Sequence, residues 1–343
     1  MPLIRKIYHV FRLSEWWDYK IVPVLAIAYA TCIQLDISIF SNISWILFLL
    51  VSIIVGAIYV STINDITDME DDLRCGKENR MAKIQPKYRF IAPLVCLIVG
   101  CFFAYQMSDN LISLILYVLP WIVYSLYSFK PFRLKERGFW GVLADALGAH
   151  VFISLLIVSS LSFKNNAPID WTWFSLVGGW SLLFGIRGIL WHQFYDLEND
   201  KKAGTKTFVS TINSENFKKK ELLLIFIELT LFLALLLHLS MSILFVFLLV
   251  YIALATLRYR LMSYTPVIVT TPLASPFQIL MLDYYLVFFP LGLLIYGFSI
   301  DQSAFIIFGV HIVLFHEKLL AIFKDAMLIA KLIFLKAFKT TKL

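Results

Sequence analysis

The sequence predicts an all-α polytopic membrane protein: a bundle of nine transmembrane helices followed by a C-terminal helical extension. Three observations carry this reading. Of 343 residues, 60% are hydrophobic and only 15% charged, with a mean hydropathy of +0.80, so the apolar content exceeds what a soluble core can bury. A spanning helix needs about 20 mostly apolar residues, and nine stretches approach that length: 21–35, 43–63, 90–107, 110–129, 139–161, 172–194, 221–240, 242–257 and 281–299. Basic residues, finally, gather in alternate connections, which is the pattern that orients helices in a membrane.

Taken in order, 21–35 is short and bounded by Pro23, and 43–63 is separated from 90–107 by a long polar loop, 64–89. The short turn 108–110 leads to 110–129, and the basic link 130–137 leads to 139–161. A second long polar loop, 195–220, lies between 172–194 and 221–240; 242–257 follows after another short turn. Beyond 281–299 comes a weaker tenth stretch, 302–321. None of these runs alternates as a membrane barrel strand does, and backbone inside lipid must satisfy its own hydrogen bonds, which leaves helices.

With the N-terminus in the cytosol, segments 1–20, 64–89, 130–137, 195–220 and 258–280 face inside and carry 22 Lys and Arg residues, whereas the outside loops carry only Lys164. One missed crossing would scramble that asymmetry, so it supports the helix count as well as the orientation. The expected location is the inner (plasma) membrane of a bacterial cell. Residues 1–20 contain Arg5, Lys6, Arg12 and Lys20 but no apolar core or small-residue cleavage site, so a cleaved signal peptide is not expected. Cys32, Cys75, Cys96 and Cys101 lack CxxC spacing, and packing is their expected role.

From His316 onward the chain carries Lys318, Lys324, Lys331, Lys336, Lys339 and Lys342. At 100° per residue the first five fall within about 140° of arc, which describes a basic amphipathic helix lying on an anionic leaflet. A plain solvated face is the other reading of the same pattern. The expected organisation is thus a transmembrane domain over 1–300 and a helical extension over 301–343. The basic residues follow the membrane face, and no nucleic-acid role is suggested.

The two long loops concentrate the polar groups, and loops of that length in a compact bundle are usually functional. In the first, Asn64, Asp65, Asp68 and Asp72 read N-D-x-x-D-x-x-x-D. On a helix Asp65, Asp68 and Asp72 share a face, and their mutual repulsion is relieved by a bound cation. Carboxylate oxygens suit Mg²⁺, which is commonly shared with substrate phosphates. In the second loop Asp196 and Asp200 are again four apart, followed by Gly204, Lys206 and Thr207. Cations stand beside both motifs: Lys77 and Arg80 after the first, Lys201, Lys202 and Lys206 after the second. Carboxylates for a metal next to cations for a polyanion form the equipment for diphosphate departure. A solvated acidic cap on the bundle is the alternative for either motif alone.

These motifs, together with the Asn79–Arg80 pair, the run YSxxPxRLK (Tyr127, Ser128, Pro131, Arg133, Leu134, Lys135) and Gly138 and Gly141, make the chain resemble the UbiA superfamily of intramembrane prenyltransferases. The resemblance runs from Arg12 to about residue 300, and departs from the family at Met81, where many members have Pro, and in the run WHQFYDLEND. It implies helices around a central cavity, with the two Asp motifs facing each other at its cytosolic mouth. It also implies Mg²⁺-dependent transfer of an isoprenyl group from a prenyl diphosphate to a lipophilic, hydrophobic or aromatic acceptor. Carried over by position, Asn64, Asp68, Asp72, Asp196 and Asp200 hold metal, and Lys77, Arg80, Arg133, Lys135 and Lys201 neutralise the leaving group. Other chemistries open to the same motifs are a polyprenyl-phosphate phosphoribosyltransferase and a terpene cyclase. From another class, a polyanion or cation transporter would favour helices broken by Gly or Pro near mid-membrane.

Aromatic residues such as Trp121, Tyr124, Trp180 and Phe184 are expected to line the cavity and offer π faces to a carbocation, or else to pack or meet lipid. Ionisable residues inside spans are costly and often functional. Asp145 and Arg187 lie about 9 and about 10 Å deep at 1.5 Å per residue, so an Asp145–Arg187 pair lining the cavity is expected, with a helix-to-helix clamp as the alternative. His150 is read as a satisfied core histidine or a proton acceptor. His192, four residues before Asp196, is read as an orienting partner for that carboxylate or as a simple helix-end hydrogen bond. Asp283, His238, His311 and His316 show no convergent partner in the sequence.

Overall fold

The computed structural model describes residues 17–212, 214–270 and 275–340, and the apolar stretches appear in it as helices. The expectations on Arg5, Lys6, Arg12 and Lys342 fall outside the described residues. The helices are α1 (Val22–Gln34), α2 (Ile43–Arg74), α3 (Ile91–Gln106) and α4 (Leu111–Ser128), then α5 (Phe139–Ala146), joined by a π-helical turn at Leu147–Val151 to α6 (Phe152–Lys164). There follow α7 (Trp171–Tyr195), α8 (Leu197–Ala203), α9 (Ser214–Leu239) and α10 (Ser242–Met262). Strands β1 (Thr265–Val267) and β2 (Phe277–Ile279) pair in parallel, and α11 (Phe289–Gly297), α12 (Ala304–Leu314) and α13 (His316–Thr340) complete the chain.

Among the described residues seven helices are long and apolar enough to cross a membrane, or eight if α12 and α13 count as one bent span. Nine full-length crossings are therefore not what the described residues supply. α1 has 13 residues, about 20 Å at helical rise, and the apolar helix at Tyr284–Gly297 is also short. Nor is 302–321 a straight tenth crossing, because α12 meets α13 at 79°.

Local sequence explains the helix ends. The Asn110 side chain accepts from the N–H groups of Ile112 and Ser113 at 3.1 and 3.3 Å, and Asp170 accepts from Thr172 and Trp173 at 2.9 and 3.1 Å; both cap the N-termini of long helices. Asp170 also takes hydrogen bonds from Gln34 and His238, tying α1, α7 and α9 together at the end opposite the long loops. Asp283 has a partner after all, since Arg258 binds it and also reaches Asp325 of α13 at 2.7 Å.

The core is aromatic, built on Trp173, Trp180, Phe232, Tyr284, Tyr285 and Phe289. Within it Arg187 of α7 makes a two-pronged ion pair with Glu228 of α9, Nε to Oε2 and Nη2 to Oε1 both at 2.7 Å. Arg187 also donates to the Leu280 carbonyl at 2.9 Å, and Tyr285 donates to Glu228 at 3.0 Å. This corrects the expected Asp145–Arg187 pair: Arg187 is the clamp between α7 and α9, and Glu228 is its counter-ion. Trp180 and Phe184 stack on each other against Tyr285 in the same core and line neither of the two main cavities.

Glycine permits one close approach that matters for the site. A Cβ on Gly148 would stand 2.7 Å from the Tyr124 ring, inside any tolerable contact, so only Gly lets α4 and the π-helical turn press together there. Gly148→Ala is expected to displace Tyr124 and cost about 1–3 kcal/mol, read as a lower thermal midpoint in detergent; an unchanged midpoint would show that the ring has room to move.

Candidate active site

α2 has 32 residues, about 48 Å of helix against a hydrocarbon layer of about 30 Å. Its last turns therefore run past the apolar layer as a rigid rod, and they carry the first acidic motif. Val60, Asn64, Asp68, Asp71, Asp72 and Cys75 share the stripe that looks into a cavity of about 450 Å³. Asp71 belongs to that stripe although the motif reading passed over it; its spacing of three from Asp68 and seven from Asn64 was the available signal.

Asp65 lies one helical step of about 100° off the stripe and points into the protein, 4% exposed. Arg80 Nε donates to its Oδ2 at 2.6 Å, and Arg80 Nη2 reaches Ser61 at 2.9 Å. Neither Asp65 nor Arg80 lines the cavity, so the substrate contacts expected of them are replaced by a brace under the loop. Asn79 completes the brace by donating to the Asp65 carbonyl at 2.9 Å and to Asp72 Oδ2 at 2.8 Å. The Asn–Arg pair thus holds the loop against the motif.

The second motif occupies the opposite wall. Asp196 closes α7, its N–H bonding the His192 carbonyl at 2.9 Å, and its carbonyl accepts from Asp200 N–H at 2.9 Å as α8 begins. Gly204 ends α8 at φ +73°, a conformation that suits glycine. The chain then folds back, so that the Thr207 hydroxyl donates to Asp200 Oδ2 at 3.2 Å and Val209 N–H donates to the Gln193 side chain at 3.2 Å. Asp196, Asp200, His192, Gln193 and Thr207 all line the same cavity as the first motif. The two acidic segments, remote in sequence, converge.

Cations from two loops close the rim. Lys77 stands 3.8 Å from Asp196 and so joins the first loop to the second motif. Arg133 donates to the Thr67 carbonyl at 3.1 Å, to Asp68 at 3.3 Å and to Asp71 at 3.0 Å; Lys135 binds Asp68 and Thr67. Burial pulls the Lys135 ammonium below the ordinary lysine value, with Asp68 acting against it. Burial likewise raises the Asp200 carboxyl, opposed by the Thr207 hydroxyl. Lys201 and Lys206 are exposed and outside the cavity, which corrects their expected substrate contacts: with Asp200 facing inward, the next helical step carries Lys201 away, and Lys206 lies in the loop.

Deeper in, Tyr127 and Asp145 line the cavity, and the Tyr124 hydroxyl donates to Asp145 at 2.9 Å. Lys20, Val60 and Tyr124 also border a second, mostly apolar cavity of about 220 Å³, whose walls include Tyr59, Trp121 and Ile153. Among the described residues no three His, Cys, Asp or Glu side chains cluster tightly enough to enclose a metal by themselves. The oxygen donors that line the cavity, Asn64, Asp68, Asp72, Asp196 and Asp200, are of the kind that suit a hard ion such as Mg²⁺, whose shell water and substrate phosphates complete.

Residues 21–267 match the model of the UbiA prenyltransferase family. A search of curated proteins finds no match. Three solved structures of a UbiA homolog from Archaeoglobus fulgidus resemble the fold. The one bound to DMAPP and Mg²⁺ has a TM-score of 0.58 at 16% identity, over 86% of this chain and 98% of that one. The one bound to GPP and Mg²⁺ has a TM-score of 0.52 at 15% identity, over 86% and 99%. The third has a TM-score of 0.54 at 15% identity, over 87% and 99%.

Proposed function

This chain belongs to the UbiA prenyltransferase family, and from that premise we propose that it transfers an isoprenyl group from a prenyl diphosphate to a lipophilic acceptor within the membrane, releasing pyrophosphate. It is thus a transferase of alkyl groups other than methyl. The observation that carries the reading is the convergence of both acidic motifs on one cavity, rimmed by Lys77, Arg133 and Lys135 and bordered by an apolar chamber. Similar folds that bind DMAPP or GPP with Mg²⁺ support it.

Asn64, Asp68 and Asp72 from one wall and Asp196 and Asp200 from the other would hold Mg²⁺. When bound, the ion supplies positive charge to the diphosphate oxygens. Lys77, Arg133 and Lys135 add fixed cations where negative charge grows as the allylic C–O bond breaks, and fixed charges do this without reorganising. Each is matched to a carboxylate that lines the cavity, and the five carboxylates of the two acidic segments against these three cations leave an excess of negative charge for a metal ion to offset. The apolar chamber receives the prenyl tail, and its walls keep water from the allylic cation while Tyr59 and Trp121 offer π faces. Asp145 is held by Tyr124, which borders both cavities, and is suited to orienting the acceptor or accepting its proton.

The segregation of Lys and Arg supports a mouth and N-terminus in the cytosol, and the location proposed for the protein is the inner membrane of a bacterial cell. The test is pyrophosphate release from geranyl diphosphate by membranes that contain the protein, which supply a lipophilic acceptor for the geranyl group. Release is expected with Mg²⁺, and its loss on adding EDTA and return on restoring Mg²⁺ are expected. Release that persists in EDTA would remove the metal from the reading.

A further inference from the structure

α12 starts beside Asp301, whose carboxylate accepts from Ser38 between α1 and α2, and ends where the Leu314 carbonyl accepts from Trp17 Nε1 at 3.2 Å. It therefore returns to the side of the bundle where α1 begins, the side that carries both long loops. There the chain turns by 79° into α13, which lies across the helix ends instead of running on out of the bundle. Three contacts hold it in that direction. Trp17 stacks on Phe315 with ring centroids 5.7 Å apart, Lys318 Nζ donates to the Tyr19 hydroxyl at 3.1 Å, and Arg258 near the end of α10 reaches Asp325 at 2.7 Å.

Between 319 and 336 the residues of α13 that are not exposed are Leu319, Ile322, Asp325, Ile329 and Leu332, a spacing of three and four that turns one stripe to the bundle. The opposite side has a different order. At about 100° per residue Phe323, Met327 and Leu320 fall within about 60°, and Lys331 and Lys324 occupy the next 40° or so. Phe323 is 60% exposed and Met327 53%. Asp325 is taken by Arg258, and among the described residues no carboxylate pairs with Lys324 or Lys331. An apolar stripe left in water is costly, and unmatched ammonium groups beside it call for anions. A bilayer surface with anionic headgroups meets both needs at once, and the bundle to which α13 is tied spans that bilayer. We infer that α13 is an interfacial helix that binds anionic phospholipid of the cytosolic leaflet. Phe323 and Met327 enter the acyl boundary, while the Lys324 and Lys331 stems follow it and their ammonium groups hold lipid phosphate. This surface lies apart from both cavities and does not depend on prenyl transfer.

Amide hydrogen exchange of the full-length protein in lipid nanodiscs tests this, comparing phosphatidylcholine alone with discs in which about one third of the lipid is phosphatidylglycerol. Exchange over 319–336 is expected to slow in the anionic discs by about fivefold for each engaged lysine, about 25-fold for the two. Salt at about 0.5 M shrinks the difference, and α7, inside the bundle, exchanges alike in both discs. Lys324→Gln with Lys331→Gln removes most of the difference, whereas Lys324→Arg with Lys331→Arg keeps it. Phe323→Ser with Met327→Ser speeds exchange of α13 in either lipid. Equal exchange of the unaltered protein in the two discs overturns the proposal. A full-sized lipid difference in the glutamine variant also overturns it, because the anion is then held elsewhere. If α13 is protected in detergent to a degree that rises with protein concentration, a second copy covers the face and the proposal fails.

Discussion

Replacing Asp68 or Asp196 by Asn is expected to slow pyrophosphate release from a prenyl diphosphate by about 10³-fold or more, ~4 kcal/mol of lost transition-state stabilisation. Each change keeps side-chain shape and removes one negative charge from a wall of the cavity. Asp68 has a second duty, because it holds Lys135 and Arg133 in place; its loss leaves both cations able to fold onto Asp71 or out to solvent. Asp196 has the matching duty toward Lys77. Turnover and Mg²⁺ affinity should therefore fall together in both variants. Asp65→Asn is the contrasting case: it sits off the cavity against Arg80, so it should lower the thermal midpoint while keeping turnover within a few-fold. If Asp65→Asn abolished release and Asp68→Asn spared it, the assignment of the cavity-facing stripe would be wrong.

Glu228→Leu is expected to destabilise the bundle by about 3–5 kcal/mol, because it strands the Arg187 guanidinium among apolar side chains. Both partners are nearly inaccessible, 3% exposed for Arg187 and 0% for Glu228, and Tyr285 loses its acceptor at the same time. The double change Arg187→Met with Glu228→Leu removes both charges and should recover most of the loss, since well-packed apolar residues often replace a buried pair at little cost. Reversible unfolding in mixed micelles, run as a double-mutant cycle, measures the coupling. Near-additive losses would mean the two charges act independently. A selective loss of turnover in Arg187→Met, with stability unchanged, would return Arg187 to the reaction chemistry.

Much of the site was legible from spacing. Spacing placed Asp65, Asp68 and Asp72 on one helical face; α2 is a continuous helix through all three, but the stripe that faces the cavity carries Asn64, Asp68 and Asp72. Asp196 and Asp200 likewise face one cavity. Errors arose where phase or partners decided the outcome. Asp65 differs from Asn64 by a single residue, yet that step turns it from the cavity to the interior. Arg187 and Asp145 lie at similar depth, but depth fixes one coordinate only, and the helix facing Arg187 turned out to be α9 with Glu228. Lys201 and Lys206 shared a loop with the second motif without sharing its direction.

What the residues alone determined was the solvent of the fold, the helical class, the family and the identity of the acidic groups, because hydropathy, loop charge and helical period are properties of short segments. Which carboxylate meets which cation, and that Lys20 and His150 meet across 130 positions, depended on helices packing against one another. Sequence position says nothing about the rotation of a helix relative to a neighbour it reaches only after several crossings, so those pairings exist only in the folded bundle.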